Sequence, residues 1–212
     1  YTPEVKIERD KVKRNLKLLE MAMDEQPAEP AMLMNYALDL FNDGQLEAAL
    51  EKDREAFALL SKHTREDVLP EVRERLVSVF CYHLLQAELY DELLEVATSP
   101  MAVDCGPTAS IHYVHGLALL KLERFEEAIE PFSECIAKRD EPTFTARFKG
   151  VEGHGPHHLL ADCLAKTGQD EKAIAEFKQA LDMAPEATSV RHGYAHFLTE
   201  LEQPEKAVKL LF

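Results

Sequence analysis

The stretch Gly155–Pro185 constrains the fold of this chain more than any other. Its apolar residues recur at spacings of three and four on both sides of Gly168, which predicts two amphipathic helices joined by a tight turn. A small side chain at Ala161 lets the helices approach closely, and Phe177 fills the space beside them. Pro185 ends the second helix, because proline has no backbone N–H and its ring clashes with the preceding turn. Further copies are expected along the chain, because one such hairpin cannot bury its apolar face alone.

Copies of this hairpin recur through most of the sequence. The turn positions Gly168 and Glu202 are 202 − 168 = 34 residues apart, and this period also separates Ala22 from Ala56. In one copy Asp53 takes the large apolar position that Phe177 has, so that helix is expected to pack less tightly. The copies are Pro30–Leu60, a degenerate one at about Glu66–Ala97, Thr108–Asp140, and a last one from Thr188 onward. A linker rich in turn formers, Thr98–Pro107, separates the second copy from the third.

The copies predict one solenoid domain in four parts. Residues 1–29 form an N-terminal helix, a half-repeat at the junction to a missing upstream domain; 30–140 form a first block of repeats, 141–153 an insertion, and 154–212 a second block. The insertion is needed because Glu123 and Gly168 are 168 − 123 = 45 residues apart, 11 beyond the period. It carries Phe144, Phe148 and Val151, so part of it is expected to fold back onto the array rather than act as a free tether.

As a whole, the chain resembles a tetratricopeptide-repeat array, most specifically over Ala109–Asp140 and His154–Pro185. The resemblance implies an all-α fold, an α-solenoid in which antiparallel helix pairs stack into a right-handed superhelix. It also implies a non-catalytic scaffold that binds a protein or an extended peptide in a concave groove.

A second, narrower resemblance lies at the N-terminus. The residues Tyr1-Thr2-Pro3-Glu4 and the later run Lys13-Arg14-Asn15-Leu16-Lys17-Leu18-Leu19-Glu20 are similar to a junction in bacterial family 2 glycosyltransferases, where the catalytic domain passes into a C-terminal tetratricopeptide tail. A start at Tyr1 rather than methionine favours a processed product or an excised fragment of a longer protein. The sequence has no Asp-x-Asp motif and no Gly-rich phosphate loop, so no catalysis and no cofactor are expected here. The alternative is a stand-alone adaptor with no enzymatic parent.

Composition narrows the range of partners. The net charge of −15 argues against nucleic acid and against an acidic membrane surface. No apolar run approaches the roughly 18 residues of a membrane span. The four cysteines have no CxxC spacing and are expected to be free thiols in a reducing, cytoplasmic setting.

Candidate partner-binding residues follow from the family resemblance, which places the first helix of each repeat along the groove. Protein or peptide contacts are therefore expected at Met34, Leu38, Phe41, Ser78, Tyr82, Leu85, Tyr113, Leu117, Leu120, His158, Asp162, Ala165, His192, His196 and Thr199. The other expected occupant is the chain's own upstream catalytic domain. The N-terminal part of this groove is apolar and aromatic, and the C-terminal part is polar.

The polar part allows a sharper hypothesis. His158 and Asp162, like His192 and His196, are four residues apart, so each pair shares one helix face. Three imidazoles and a carboxylate on adjacent helices are a plausible zinc set, and this metal site is an alternative to plain partner contacts or ordinary surface residues.

Two further expectations concern the remaining histidines and the C-terminus. His112 and His115 occupy packing positions and are expected to be core or half-buried, whereas His154 and His157 begin a helix and are expected to be partly exposed. No polar capping helix follows the last repeat, which indicates either truncation or a homodimer contact that buries Leu210, Leu211 and Phe212.

Overall fold

The computed structural model describes residues 3–25, 29–63 and 67–211, and every regular secondary-structure element in this part of the chain is a helix. The helices are α1 Pro3–Glu25, α2 Pro30–Asn42, α3 Leu46–Leu60, α4 Pro70–Gln86, α5 Tyr90–Ala97, α6 Pro100–Cys105, α7 Ala109–Lys121, α8 Phe125–Lys138, α9 Gly155–Lys166, α10 Asp170–Met183, α11 Thr188–Glu200 and α12 Pro204–Leu211. Neighbouring helices pack as the pairs α2–α3, α4–α5, α7–α8, α9–α10 and α11–α12. The predicted all-α fold class, with the helix pairs of a tetratricopeptide α-solenoid, is confirmed.

Contacts divide the chain into two compact units. Unit 1 is Tyr1–Pro107 and unit 2 is Thr108–Phe212. The division into blocks 1–29, 30–140, 141–153 and 154–212 stays a sequence-based prediction. No helix in the described part of the chain is both long enough and apolar enough to cross a membrane.

Each helix pair is closed by the same left-handed turn, whether or not it contains glycine. The residue at the turn has positive φ at Gly44 (85°), Glu88 (58°), Glu123 (56°), Gly168 (72°) and Glu202 (57°). In every case the residue after the turn residue donates its backbone N–H to the carbonyl of the residue five positions before it, as Gln169 does to Leu164. These bonds are 2.8–3.0 Å long and are the bonds that close a Schellman motif. Glutamate is strained in this region, so the hairpin packing imposes the turn where glycine is absent.

Unit 1 differs from the sequence-based prediction in the segment Thr98–Pro107. This segment contains the short helix α6 rather than only a linker, and the Ser99 hydroxyl caps it by accepting the Ala102 N–H at 3.2 Å. Met101 and Ala102 are buried, and α6 packs against α4. The helix forms because Pro100 follows its cap at the first helical position, where the missing N–H costs nothing.

In unit 2 the insertion folds back onto the helices, as predicted. Val151 is fully buried in a cluster with Ala109 and Cys135, and Phe148 packs against the same cluster. The Phe148 N–H donates to the Ser110 hydroxyl at 3.2 Å, which ties the insertion to α7. Phe144 differs, because 68% of it is exposed.

Gly116 sets how closely α7 and α8 pack. A Cβ at this position would lie 2.8–2.9 Å from three ring atoms of Phe132, which is fully buried. We expect Gly116→Ala to lower the free energy of unfolding by about 1–2 kcal/mol, because overpacking outweighs alanine's better helix propensity. Urea denaturation followed by circular dichroism measures the change. The control is Gly153→Ala, whose Cβ would meet nothing closer than 3.9 Å; equal stability of the two variants would contradict the expectation.

Candidate functional site

The candidate site is a cleft of about 270 Å3 in unit 2, here called the unit 2 cleft. Its floor is apolar and consists of Leu120, Phe125, Ala165, Phe177 and Phe197. Its rim is polar and consists of Asp162, Lys166, His196 and Glu200, with Gly193 between floor and rim.

The first helix of each repeat supplies most of this lining from its C-terminal end. Leu120 is the next-to-last residue of α7, Lys166 the last residue of α9 and Glu200 the last residue of α11. The second helices contribute floor residues, Phe125 from the start of α8 and Phe177 from the middle of α10. The cleft therefore lies where three helices end.

Gly193 allows α9 and α11 to meet beside the cleft. A Cβ at this position would lie 2.9 Å from Nε2 of His158, 3.6 Å from the Phe177 ring and 3.7 Å from Oδ1 of Asp162. The absent side chain thus makes room for the His158 imidazole, whose ring centroid is 6.0 Å from that of Phe177. Phe177 also stacks on Tyr194, with the two ring planes 11° apart and the centroids separated by 5.0 Å.

Each carboxylate of the rim has a histidine one turn earlier on its own helix. His158 Nε2 is 3.5 Å from Asp162 Oδ2, and His196 Nδ1 is 3.7 Å from Glu200 Oε1. Burial raises the pKa of the Asp162 carboxyl, while His158 and Lys166 act in the opposite direction. The His196 side chain is 73% exposed, so it is open to a partner.

Several of the predicted groove residues meet in clefts. The unit 2 cleft brings together Leu120, Asp162, Ala165 and His196. A second cleft, of about 320 Å3 between α11 and α12, contains His192, His196 and Thr199. In unit 1, Leu38 lines a cleft of about 430 Å3 together with Asn15, Asn35 and Arg75.

Other predicted groove residues do not present an open surface. Met34 is 3% exposed and Ser78 is 2% exposed, so both pack in the core of unit 1 instead of facing a groove. Tyr113 is half-buried against the insertion, and its hydroxyl oxygen lies 3.3 Å from the position of a Cβ at Gly150. The repeat pattern gave no sign of this cover, because the insertion belongs to no repeat.

The aromatic residues predicted for the unit 1 groove form a cluster around a histidine. Phe41 stacks on His83 with a centroid distance of 4.4 Å and meets Tyr82 edge-on at 5.7 Å. Both Phe41 and Tyr82 are half-buried. Their rings therefore serve the packing of α2 on α4 and leave only part of their area to a partner.

The zinc hypothesis finds no support in the geometry. Among the described residues, no three side chains of His, Cys, Asp or Glu are placed to hold one metal ion together. His158 and Asp162 face the Gly193 contact, whereas His192 is exposed and lines the α11–α12 cleft.

One pair of polar residues was missed by sequence reasoning. Asp53 and His83 are both fully buried, and the Nδ1–H of His83 donates to Asp53 Oδ2 at 2.6 Å. The signal was an aspartate at a large apolar position, because a carboxylate there requires a buried partner. Asp53 was expected to loosen the packing of α3; instead it bonds α3 to α4 across two repeats.

The burial of the other histidines agrees only in part with the burial expected from the sequence. His112 and His115 are half-buried as predicted, and burial lowers both pKa values, that of His112 to about 4. His157 was expected to be partly exposed but is 8% exposed. It is buried because its ring has a partner on each side. Nδ1 is hydrogen-bonded to Glu176 of α10 at 2.7 Å, and Nε2 accepts from Arg139, at the end of α8, at 3.4 Å.

The helix pairs have the fold of tetratricopeptide repeats, and comparison with known proteins agrees. The family model for the tetratricopeptide repeat matches residues 109–137 and 155–186, which contain α7, α9, α10 and all of α8 except its last residue. A comparison with curated protein sequences found no significant match.

Solved structures with the same fold include YrrB, described as a TPR protein with an unusual peptide-binding site. It is 18% identical, with a TM-score of 0.70, over 91% of this chain and 88% of YrrB. MamA from Desulfovibrio magneticus RS-1, residue 41 to the end, is 16% identical, with a TM-score of 0.68, over 88% of this chain and 93% of that chain. Another MamA structure is 14% identical, with a TM-score of 0.67, over 86% of this chain and 87% of that one. At these sequence identities, the similarity to the solved structures supports the fold alone.

Proposed function

We propose that this chain is a non-catalytic scaffold that binds an extended peptide segment of a partner protein in the unit 2 cleft. The observation that carries the proposal is the cleft itself, an apolar floor with a polar rim built from the ends of three repeat helices. A partner side chain is desolvated on such a floor while the rim bonds the polar atoms of the peptide.

The size of the cleft favours a peptide side chain over a drug-sized molecule. Its volume of about 270 Å3 lies below the roughly 300–1,000 Å3 usual for small-molecule sites. The YrrB structure, described as having a peptide-binding site, adds support by analogy of fold.

Blocking the floor tests this proposal. Ala165→Gln places a longer side chain in the cleft without removing a helix-forming residue. We expect peptides selected from a random heptamer library on the intact chain to bind this variant at least tenfold more weakly, because the floor is filled. Isothermal titration measures the change.

The matched control is Ala175→Gln, at an exposed position of α10 outside the cleft lining. It should bind the selected peptides as the original chain does. A library that yields no binder, or binders indifferent to Ala165→Gln, would refute the proposed function.

The sequence predicts two further partners, an upstream catalytic domain and a second copy of this chain, and fewer observations support them than support the peptide. The upstream catalytic domain rests on the glycosyltransferase-like residues at the N-terminus, of which Tyr1 and Thr2 lie outside the described residues. The coding sequence before Tyr1 tests it: an upstream catalytic domain would support it, and an immediate start codon would favour the stand-alone adaptor. A cytoplasmic location is likewise an inference from the four free cysteines.

The homodimer through α12 is also a proposal. Val208 is 55% exposed, and the carbonyl of Leu210 accepts a hydrogen bond from Arg191 Nε at 2.7 Å. The side chains of Leu211 and Phe212 lie outside the described residues. Sedimentation equilibrium of the chain and of Val208→Glu tests it, with a monomer in both cases as the refuting result.

A further inference from the structure

The unit 2 cleft is surrounded by sources of negative potential. The C-terminal end of an α-helix carries a partial negative charge equivalent to about half an electron, and α7, α9 and α11 all end at this cleft. Such helix ends favour a cation and disfavour a carboxylate.

Side chains add to this potential. Asp162 and Glu200 lie on the rim, and their side chains are 41% and 52% exposed, so both reach solvent at the mouth of the cleft. Glu123 and Glu202 follow in the turns immediately after α7 and α11. Lys166 is the one lysine or arginine among the lining residues.

The apolar floor of the cleft favours an apolar group rather than a cation. Phe125 is half-buried, and Leu120 and Ala165 are partly open beside it, so an apolar surface remains for a partner. A side chain with an aliphatic stem and a charged end matches both parts, since its methylene groups can lie on the floor while its charge reaches the rim. A guanidinium group can in addition stack on the Phe125 ring.

Resting on the proposed function, we propose that the unit 2 cleft selects peptide segments that carry an arginine or lysine side chain, with its charge placed between Asp162 and Glu200. The net charge of −15 attracts the same class of segment from a distance. Acidic segments are rejected, because their carboxylates would meet the rim and the helix ends.

A set of defined probes separates charge from shape. The first is the labelled peptide acetyl-Ala-Leu-Ala-Arg-Ala-Ala-amide; the others replace its arginine by citrulline, which keeps the shape without the charge, or by glutamate. Fluorescence anisotropy with the intact chain at pH 7.4 measures each Kd. We expect the arginine probe to bind about three- to tenfold more tightly than the citrulline probe, and the glutamate probe most weakly. The difference between the first two should shrink at 0.5 M NaCl.

Three charge substitutions locate the effect. Asp162→Asn and Glu200→Gln together should bring the arginine probe to the affinity of the citrulline probe and leave the latter unchanged. Lys166→Gln should have the opposite sign and tighten the arginine probe about two- to fivefold, because it removes the opposing charge. The control Asp182→Asn, at an exposed position of α10, should change neither probe.

The outcomes separate this proposal from the function on which it rests. Equal affinity for the arginine and citrulline probes, tighter binding of the glutamate probe, or no binding of any probe overturns the cation preference. Library peptides that bind and are blocked by Ala165→Gln would then still support the peptide site. Failure of that library selection removes the site itself.

Discussion

Replacing Asp53 by alanine is expected to lower the free energy of unfolding by about 3–5 kcal/mol, because it leaves the His83 ring buried without its partner. The side chains of His83 and Asp53 are 0% and 1% exposed, and the bond between them is 2.6 Å long. Burial raises the pKa of the Asp53 carboxyl, and the hydrogen bond from His83 opposes this shift. Urea denaturation of the chain and the variant, followed by circular dichroism, measures the loss.

A neighbouring carboxylate supplies the control. Glu55 lies on the same helix, its side chain is 46% exposed, and it pairs with Lys52 at 2.8 Å. Glu55→Ala should therefore cost less than about 1 kcal/mol, as exposed ion pairs do. The double variant Asp53→Leu/His83→Leu should recover most of the loss, because an apolar pair leaves no buried polar atom unpaired. Similar costs for Asp53→Ala and Glu55→Ala would contradict the structural role of the buried pair.

Replacing Phe177 by alanine is the second substitution with a large expected effect. The ring is fully buried, stacks on Tyr194 and packs against Phe197, so its loss opens a cavity between three helices. We expect a destabilisation of about 3–5 kcal/mol and loss of peptide binding, since the same ring forms the floor of the unit 2 cleft. Urea denaturation measures the first effect and library-peptide titration the second.

Phe144→Ala is the matched control for this substitution. It removes the same atoms from a ring that is 68% exposed, and a change within about 0.5 kcal/mol is expected. Phe177→Leu should recover part of the stability, because leucine fills part of the space. A Phe177→Ala variant as stable as Phe144→Ala would show that the α9–α11 packing does not depend on this ring.

The helix pairs could be predicted because each depends on local sequence. The small residue at Ala161 and the large one at Phe177 lie in one hairpin, and the same positions recur with the repeat period. The turns were harder to recognise, since Glu88, Glu123 and Glu202 adopt a conformation usual for glycine. These three turns could be predicted only from the repeat register of the helices on either side.

The candidate site could be predicted only in part. The sequence predicted that Asp162 and His196 share one surface, and both line the unit 2 cleft, because both follow the repeat register. The cover over Tyr113 could not be predicted, because it depends on how an irregular segment folds. The pair of Asp53 and His83 joins residues 83 − 53 = 30 positions apart, a separation that no helical period connects. Contacts of this kind are set by tertiary packing alone.

The anchored insertion has a consequence for how unit 2 opens. In an array of repeats each hairpin normally contacts only its neighbours, so opening can begin at either end and spread one hairpin at a time. Here Val151 and Phe148 hold the segment before α9 against α7, and the Phe148 amide is bonded to Ser110. We therefore expect the hairpins on both sides of the insertion to open as one cooperative unit in hydrogen exchange, and the Phe148 amide to exchange as slowly as the helix amides although it lies in no helix.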